Sequence, residues 1–94
     1  MKTIQKIKVE NMLNYNNNAA TNQFIIYTQK GVYFISYSTI IAYRDNCTNT
    51  ISLDKKKWNY SATTGKYRNL FLNENIAATR KKIKSGEYKL INLN

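Results

Sequence analysis

The segment that decides the fold runs from residue 55 to residue 86 and reads KKKWNYSATTGKYRNLFLNENIAATRKKIKSG. Its residue spacing predicts a first helix over 65–72 and a second helix over 76–85. Gly86 follows the second helix at the position that favours a left-handed backbone. The candidate N-caps of the first helix are Ser61, Thr63 and Thr64. The predicted inward-facing side chains are Tyr67, Leu70 and Phe71 in the first helix and Ile76, Thr79 and Ile83 in the second.

The residues before this segment predict strands. Residues 2–9 alternate between polar and apolar side chains and favour an edge strand, with a short helix as the alternative. Residues 14–22 are rich in Asn, whose side chains compete with regular structure, so we expect a flexible loop there. An uncovered edge at residues 2–9 could pair with a second copy of the chain, which makes a homodimer through this strand a prediction.

A meander of strands is predicted over residues 24–54. Residues 24–28 form its first strand, and Gly31 supplies a turn with a positive φ. Residues 32–43 are apolar or aromatic on both sides, which predicts one long strand, covered on both faces or half-covered with an exposed row of Tyr. Its Ser36–Thr39 interruption indicates a bend or bulge. Residues 50–53 form the third strand.

The alternation at residues 88–93 predicts a final strand that returns to the sheet. The fold class is therefore α+β: an antiparallel meander, an αα-hairpin packed on one sheet face and a C-terminal strand completing the sheet. We expect one domain over residues 1–94. Its three parts are the N-terminal strand and Asn-rich loop (1–23), the meander (24–54) and the basic helical hairpin with the final strand (55–94).

The positive charge of the chain is clustered. Its net charge is +10, and residues 55–89 contain ten basic and two acidic residues, so they carry eight of those charges. Such a cluster allows three partner classes: nucleic acid, an anionic membrane surface or an acidic protein. The alternative is a solvated basic surface that serves solubility. Cations in the last turn of the second helix also stabilise the helix dipole, and this role is compatible with binding.

Aromatic residues accompany the basic cluster. Trp58 and Tyr60 alternate across Asn59, which predicts an extended path with both rings on one side. Core closure beneath the helices is favoured for Trp58, and a stacking platform beside the basic loop remains the alternative. The candidate partner-binding residues are Lys55, Lys56, Lys57, Tyr60, Lys66, Arg68, Arg80, Lys81 and Lys84.

Several classes of site lack the residues they need. The chain has no His and a single Cys, Cys47, so we expect no zinc site, no internal disulfide and no cofactor. No signal peptide or membrane span is recognisable, and a cytoplasmic protein is expected. A Mg²⁺-dependent nuclease built on Asp54, Glu87 and Lys89 is a remote alternative. We therefore expect that the protein is not an enzyme.

The C-terminal two thirds of the chain resembles a known family. The runs WNYS at 58–61, KYRN at 66–69 and SGEYKL at 85–90 are similar to short uncharacterised proteins from phages and conjugative elements, over roughly residues 33–94. The resemblance implies no catalytic residue. It implies a mobile-element protein that inhibits a host defence complex, as an anti-CRISPR protein does, or that assists in nucleic-acid handling.

The helical hairpin also has the outline of a helix-turn-helix DNA reader, but its second helix begins Ile76-Ala77-Ala78-Thr79, which offers few base-reading groups. Phosphate contact suits this helix better. The leading prediction is a non-catalytic basic protein that binds nucleic acid or a host ribonucleoprotein and has no membrane partner. The alternative is a DNA- or RNA-binding accessory or regulatory protein.

Overall fold

Six strands form one sheet and two helices lie between the fifth and sixth strands. The computed structural model describes residues 6–94. Its elements are β1 (Lys8–Leu13), β2 (Ala19–Tyr27), β3 (Gly31–Ser36), β4 (Thr39–Asp45), β5 (Ile51–Asp54), α1 (Ala62–Leu72), α2 (Ile76–Ser85) and β6 (Tyr88–Ile91). The strands lie in the order of the sequence, with β5–β6 parallel and every other pair antiparallel. The predicted α+β class, with a C-terminal strand that joins the sheet, is confirmed.

The core lies between one sheet face and the helices. Phe34, Ile41 and Leu53 are fully buried there, and Phe34 stacks on Phe71 of α1 with ring centroids 5.8 Å apart. Trp58 packs against the same cluster, as predicted. The opposite face carries a tyrosine pair, Tyr33 and Tyr43, whose ring centroids are 4.7 Å apart. Ile26 and Ile35 line a groove of about 550 Å³ beside this pair, so the half-covered version of the sheet is the one observed.

The prediction of one strand over 32–43 is wrong. Tyr37 and Ser38 both have positive φ, 51° and 64°, and form a two-residue hairpin turn between β3 and β4. Positive φ at both central residues is the requirement of the turn that matches the twist of paired strands. The bulge lies further along, where the register shifts and Ile41 is the extra residue.

Gly31 is needed for space and not for a positive φ. Gly86 is the one glycine of the described residues with φ in the left-handed region. A Cβ at Gly31 would collide with the Tyr43 ring and with the carbonyl oxygen of Arg44. The glycine therefore lets β4 approach the start of β3 closely, which corrects the sequence-based explanation.

The N-terminal strand and its loop also differ from their predicted bounds. β1 begins at Lys8 and continues to Leu13, and the part of the prediction over residues 2–5 lies outside the described residues. The loop is only 14–18, because β2 already begins at Ala19. The Asn11 side chain donates hydrogen bonds to the carbonyl oxygens of Ala20 and Gln23, which fixes this irregular stretch beside β1.

The connection between β5 and α1 is a series of turns and not the predicted extended path. The Asp54 carboxylate accepts hydrogen bonds from the backbone N–H groups of Lys56, Lys57 and Leu93, which bends the chain at the end of β5. Ser61 caps α1 by accepting a hydrogen bond from the Thr64 N–H.

The helices follow the prediction closely. α2 has the predicted bounds, and Gly86 ends it at φ 86°. α1 begins three residues earlier than predicted. Leu70, expected to face inward, is 56% exposed, because α1 faces the sheet with Thr64, Tyr67 and Phe71. No helix among residues 6–94 is long and apolar enough to cross a membrane.

Candidate nucleic-acid interface

The loops after β1, β3 and β5 lie at one end of the sheet, because consecutive antiparallel strands alternate in direction. Two contacts join this end to the first turns of α1. The hydroxyls of Ser36 and Thr64 share a hydrogen bond of 2.9 Å, and the Lys66 Nζ lies 4.9 Å from the centroid of the Tyr15 ring. Loops that are distant in the sequence therefore meet at the start of α1.

Each of these three loops exposes one tyrosine at this end. Tyr15 is 83% exposed, Tyr37 46% and Tyr60 41%. We call these three residues, together with Lys57 and Lys66, the tyrosine rim. The rim combines rings with ammonium groups, which is the composition used to bind single-stranded nucleic acid.

Local hydrogen bonds hold the rim loops in shape. The Asn14 side-chain oxygen accepts from the N–H groups of Asn16 and Asn18, so the 14–18 loop that we predicted to be flexible is a hydrogen-bonded turn. The Tyr37 N–H donates to the carbonyl oxygen of Asn22, which fixes the β3–β4 turn against β2. Tyr60 directly precedes the N-cap of α1. The rings are thus presented by fixed backbone.

Lysines lie over the rings of the rim. The Lys57 Nζ is 5.0 Å from the centroid of the Tyr60 ring. The Lys66 Nζ lies 4.9 Å from the centroid of the Tyr15 ring and 5.6 Å from that of the buried Tyr67 ring. A cation over a ring is attracted by its quadrupole, typically by about 0.5–1 kcal/mol at exposed sites. The attraction keeps each ammonium group close to an exposed ring without neutralising its charge.

A groove of about 570 Å³ begins beside the rim, lined by Tyr60, Lys66 and Asn69 among others. Arg68 also lines it, although this residue is only 1% exposed, and the prediction of Arg68 as a contact residue stays a prediction. Its Nη1 donates to the Trp58 carbonyl oxygen at 2.9 Å and to Asn59 Oδ1 at 3.0 Å, and its Nη2 donates to Asn69 Oδ1 at 3.0 Å. All three acceptors are neutral.

The charge of Arg68 is not compensated by a carboxylate. Within residues 6–94 the ion pairs are Lys8–Glu10 and Lys82–Glu74, and neither includes Arg68. Burial and the charge of Arg80 lower the pKa of Arg68, against a smaller opposite effect of Glu74. The Arg68 Nε is buried and has no hydrogen-bond acceptor among the described residues. A buried guanidinium without an opposite charge destabilises the folded state, so the position of Arg68 in a groove is unusual.

The remaining predicted contact residues are distributed over the surface. Lys55 and Lys56 are exposed and lie at the rim end, where they border a cavity of about 230 Å³ beside Asp54. Arg80 is exposed and close enough for its charge to act on Arg68.

Lys81 and Lys84 are exposed on α2, whose last turn leads into β6. Because Tyr88 pairs with Ile51 at the start of β5, Lys84 lies toward the opposite end of the sheet from the rim. The predicted contact residues are therefore divided between the two ends of the sheet.

The suggested nuclease residues are not brought together. The Asp54 carboxylate is engaged by backbone N–H groups. Tyr88 pairs with Ile51, which places Glu87 level with Thr50, four residues from Asp54. Four residues of strand correspond to about 13 Å, too far for two carboxylates to share one ion. No cluster of three metal-binding side chains occurs among the described residues.

Sequence reasoning missed Tyr15, Tyr37, Asn59 and Asn69 as components of this surface. The signal for Tyr37 is the interruption at Ser36–Thr39, which predicts a bend or bulge and is a hairpin turn in the structure. The edge-strand homodimer stays a prediction, with β1 at one edge of the sheet.

Comparison with known proteins gives one match. Residues 7–87 match the model of a family of unknown function, DUF8033. No curated protein and no solved structure matches the chain. Since the match covers most of the 94 residues, the chain belongs to the DUF8033 family.

Proposed function

We propose that this protein is a non-catalytic binding protein that holds single-stranded nucleic acid, free or as part of a ribonucleoprotein, on the tyrosine rim. The observation that carries the proposal is the exposure of Tyr15, Tyr37 and Tyr60 at the same end of the sheet, with lysines over two of the rings. Exposed rings can stack only on bases that are not already stacked in a duplex. The rim therefore favours single strands over duplexes.

The distribution of charge supports an anionic partner. Lys82 is the only cation of residues 55–89 that forms an ion pair within the described chain, so the lysines of the rim have no carboxylate partner there. A surface that serves solubility alone does not require its lysines to lie over aromatic rings. Stacking of a base on an aromatic side chain contributes about 1–3 kcal/mol, and phosphate contacts add a salt-dependent part.

The resemblance to phage and conjugative-element proteins supports a host defence ribonucleoprotein as the natural complex that contains this nucleic acid. An inhibitor of the anti-CRISPR type would bind a purified effector complex more tightly than its guide RNA alone. An accessory or regulatory protein would bind the free strand equally well. Comparing the affinities for the complex and for the free RNA distinguishes the two versions.

The test of the rim is fluorescence anisotropy with a labelled single strand of DNA, the same sequence as RNA, and the duplex. We expect the single strands to bind more tightly. Tyr60→Ala and Tyr15→Ala should each weaken binding about tenfold, whereas Phe at either position should restore it, because Phe retains the stacking surface. Lys30→Ala is the matched charge control for Lys66→Ala, since Lys30 lies in the turn between β2 and β3 at the other end of the sheet.

Salt dependence gives a second readout. Lys55, Lys56, Lys57 and Lys66 would contact three or four phosphates, which predicts a log–log slope of about −2 to −3 between about 50 and 200 mM salt. Equal affinity for single strands and duplex, with no effect of the Tyr→Ala changes, would refute the proposal.

A further inference from the structure

We infer that the groove over Arg68 is a phosphate-binding site, which takes one phosphate of the bound strand next to the tyrosine rim. This inference rests on the proposed function, because it names the phosphate subsite of the same surface. Three observations carry it: the unpaired charge of Arg68, the absence of a side chain at Gly65, and the position of the groove at the start of α1.

Two N–H groups of the Arg68 side chain have no hydrogen-bond acceptor within residues 6–94. An arginine side chain carries five N–H groups, and three of those of Arg68 donate to neutral oxygens. The two that remain are the Nε N–H and one N–H of Nη2, and the Nε is buried without an acceptor among the described residues. A phosphate supplies both the missing acceptors and the missing negative charge. Asn59 and Asn69 fix the orientation of the guanidinium.

Gly65 places no side chain against the Arg68 guanidinium. Glycine inside a helix is unfavourable by about 0.5–1 kcal/mol relative to Ala, so its presence in α1 indicates a local requirement. A Cβ at Gly65 would lie 3.6 Å from both Nη atoms of Arg68 and 3.7 Å from Asn59 Oδ1. These are ordinary contact distances, so Ala fits without strain and occupies the space through which an oxygen of a phosphate would approach.

The surroundings favour an anion as well. The groove includes Ser61 and Ala62, where α1 begins; Ser61 accepts from the Thr64 N–H, and the N–H groups at the start of a helix lack acceptors within the helix itself. The groove therefore borders the positive end of the helix dipole. Lys66 lines the same groove and adds an exposed ammonium group, which also touches Tyr15. A strand whose base stacks on Tyr60 could place its phosphate here.

The chain contains its own reporter for this site. Trp58 is the only tryptophan, and the Arg68 guanidinium carbon lies 5.2 Å from its ring. We propose titrating the full chain with inorganic phosphate and with a phosphodiester oligomer that lacks bases, while recording Trp58 fluorescence at constant ionic strength. An oligomer without bases avoids quenching of the tryptophan by stacking. Chloride in the same range serves as the control for non-specific screening.

The expected result is a saturable change with the phosphodiester oligomer and none with chloride. Arg68→Gln should weaken the binding tenfold or more, about the effect of losing a charge-assisted hydrogen bond. Gly65→Ala should weaken it about tenfold while the melting temperature stays equal or rises, so this variant tests the site even if Arg68→Gln does not fold. Lys89→Ala, a change of the same charge on β6, should stay within about twofold of wild type.

The inference is overturned if wild type shows no saturable response or if both groove variants bind like wild type. Binding of base-containing single strands without any phosphate response would remove the Arg68 site and leave the tyrosine rim. A phosphate response without binding of any single strand would retain the Arg68 site and remove the proposed function. Binding of inorganic phosphate but not of the phosphodiester would assign the site to a free phosphate and overturn its place in strand binding.

Discussion

Replacement of Glu74 by Gln should weaken the interactions that join the helical hairpin to the sheet. Glu74 lies between α1 and α2, and its side chain is 9% exposed. Its Oε1 accepts from the Lys82 Nζ at 2.7 Å and from the Tyr88 hydroxyl at 3.0 Å, and its Oε2 accepts from the Thr79 hydroxyl at 2.6 Å. One carboxylate thus joins the turn between the helices to α2 and to β6.

The cost of Glu74→Gln follows from these three donors. The Gln side chain has the shape of Glu, but an NH2 group replaces one carboxylate oxygen. This hydrogen-bond donor then faces either the donor of Thr79 or the donors of Lys82 and Tyr88. Hydrogen bonds to charged groups contribute about 1.5–3 kcal/mol, and Lys82 is 37% exposed, so solvent reduces its share. We expect a loss of about 2–3 kcal/mol. For 94 residues, an unfolding entropy of ~2.1 cal/mol/K per residue converts this loss into about 10–15 °C of melting temperature.

Thermal and urea unfolding at pH 7, followed by circular dichroism, measure this loss. Glu87→Gln is the control, because it removes the same charge from an exposed position. If the two variants differ by less than about 0.5 kcal/mol, the three hydrogen bonds to Glu74 do not stabilise the fold by the expected amount.

The pH dependence gives an independent check. Burial alone would raise the pKa of Glu74, but the hydrogen bonds from Lys82, Thr79 and Tyr88 outweigh it and hold the pKa below the usual value. A lowered pKa in the folded state means that the stabilisation is fully present above the unfolded value, about 4.3, and is lost as the pH falls through the folded value. The difference in unfolding free energy between wild type and Glu74→Gln should therefore be constant near pH 6–7 and become smaller below about pH 4. A gap that widens on acidification would contradict this sign.

Two further substitutions test the packing of the sheet. Gly31→Ala should destabilise the protein by about 2–3 kcal/mol, because the new Cβ would collide with the Tyr43 ring and the Arg44 carbonyl oxygen; a change below about 0.5 kcal/mol in urea unfolding would show that β4 moves aside freely. Gln23→Met should stabilise it by about 1 kcal/mol, since both polar side-chain atoms of Gln23 are buried without partners among the described residues; a lower melting temperature would contradict this expectation.

The helices were predictable because their signals are local. Asn75 and Gly86 cap α2 with their own side chain and backbone, and both lie next to the helix in the sequence. The hairpin of β3 and β4 was not predictable in this way. Tyr37 and Ser38 adopt positive φ without the Asn-Gly or Asp-Gly pair that usually marks such a turn. The pairing of the two strands and the hydrogen bond from the Tyr37 N–H to the Asn22 carbonyl oxygen, which periodicity does not show, stabilise that backbone.

The missed turn also concealed the candidate site. With one strand over 32–43, the number of strands between Tyr15 and Tyr60 changes by one, and antiparallel alternation then places their loops at opposite ends of the sheet. With the turn at Tyr37 the loops after β1, β3 and β5 lie at the same end. The burial of Arg68 was not predictable for a different reason. Helical spacing identifies the face of a helix that packs on the core, and it does not show that loop residues 58 and 59 cover the guanidinium from outside the helix.

Clustering of charge in a sequence is therefore weaker evidence than the position of individual cations. Residues 55–89 carry a net charge of +8, yet Lys82 is paired with Glu74 and Lys84 lies toward the far end of the sheet. What remains at the rim is a small set of lysines beside exposed rings. A surface of this kind gains affinity from stacking as much as from charge, so its binding should survive salt concentrations that release a purely electrostatic complex. The expected log–log salt slope of about −2 to −3 is accordingly small, since nine unpaired cations acting together would give a slope near −6 on a single strand.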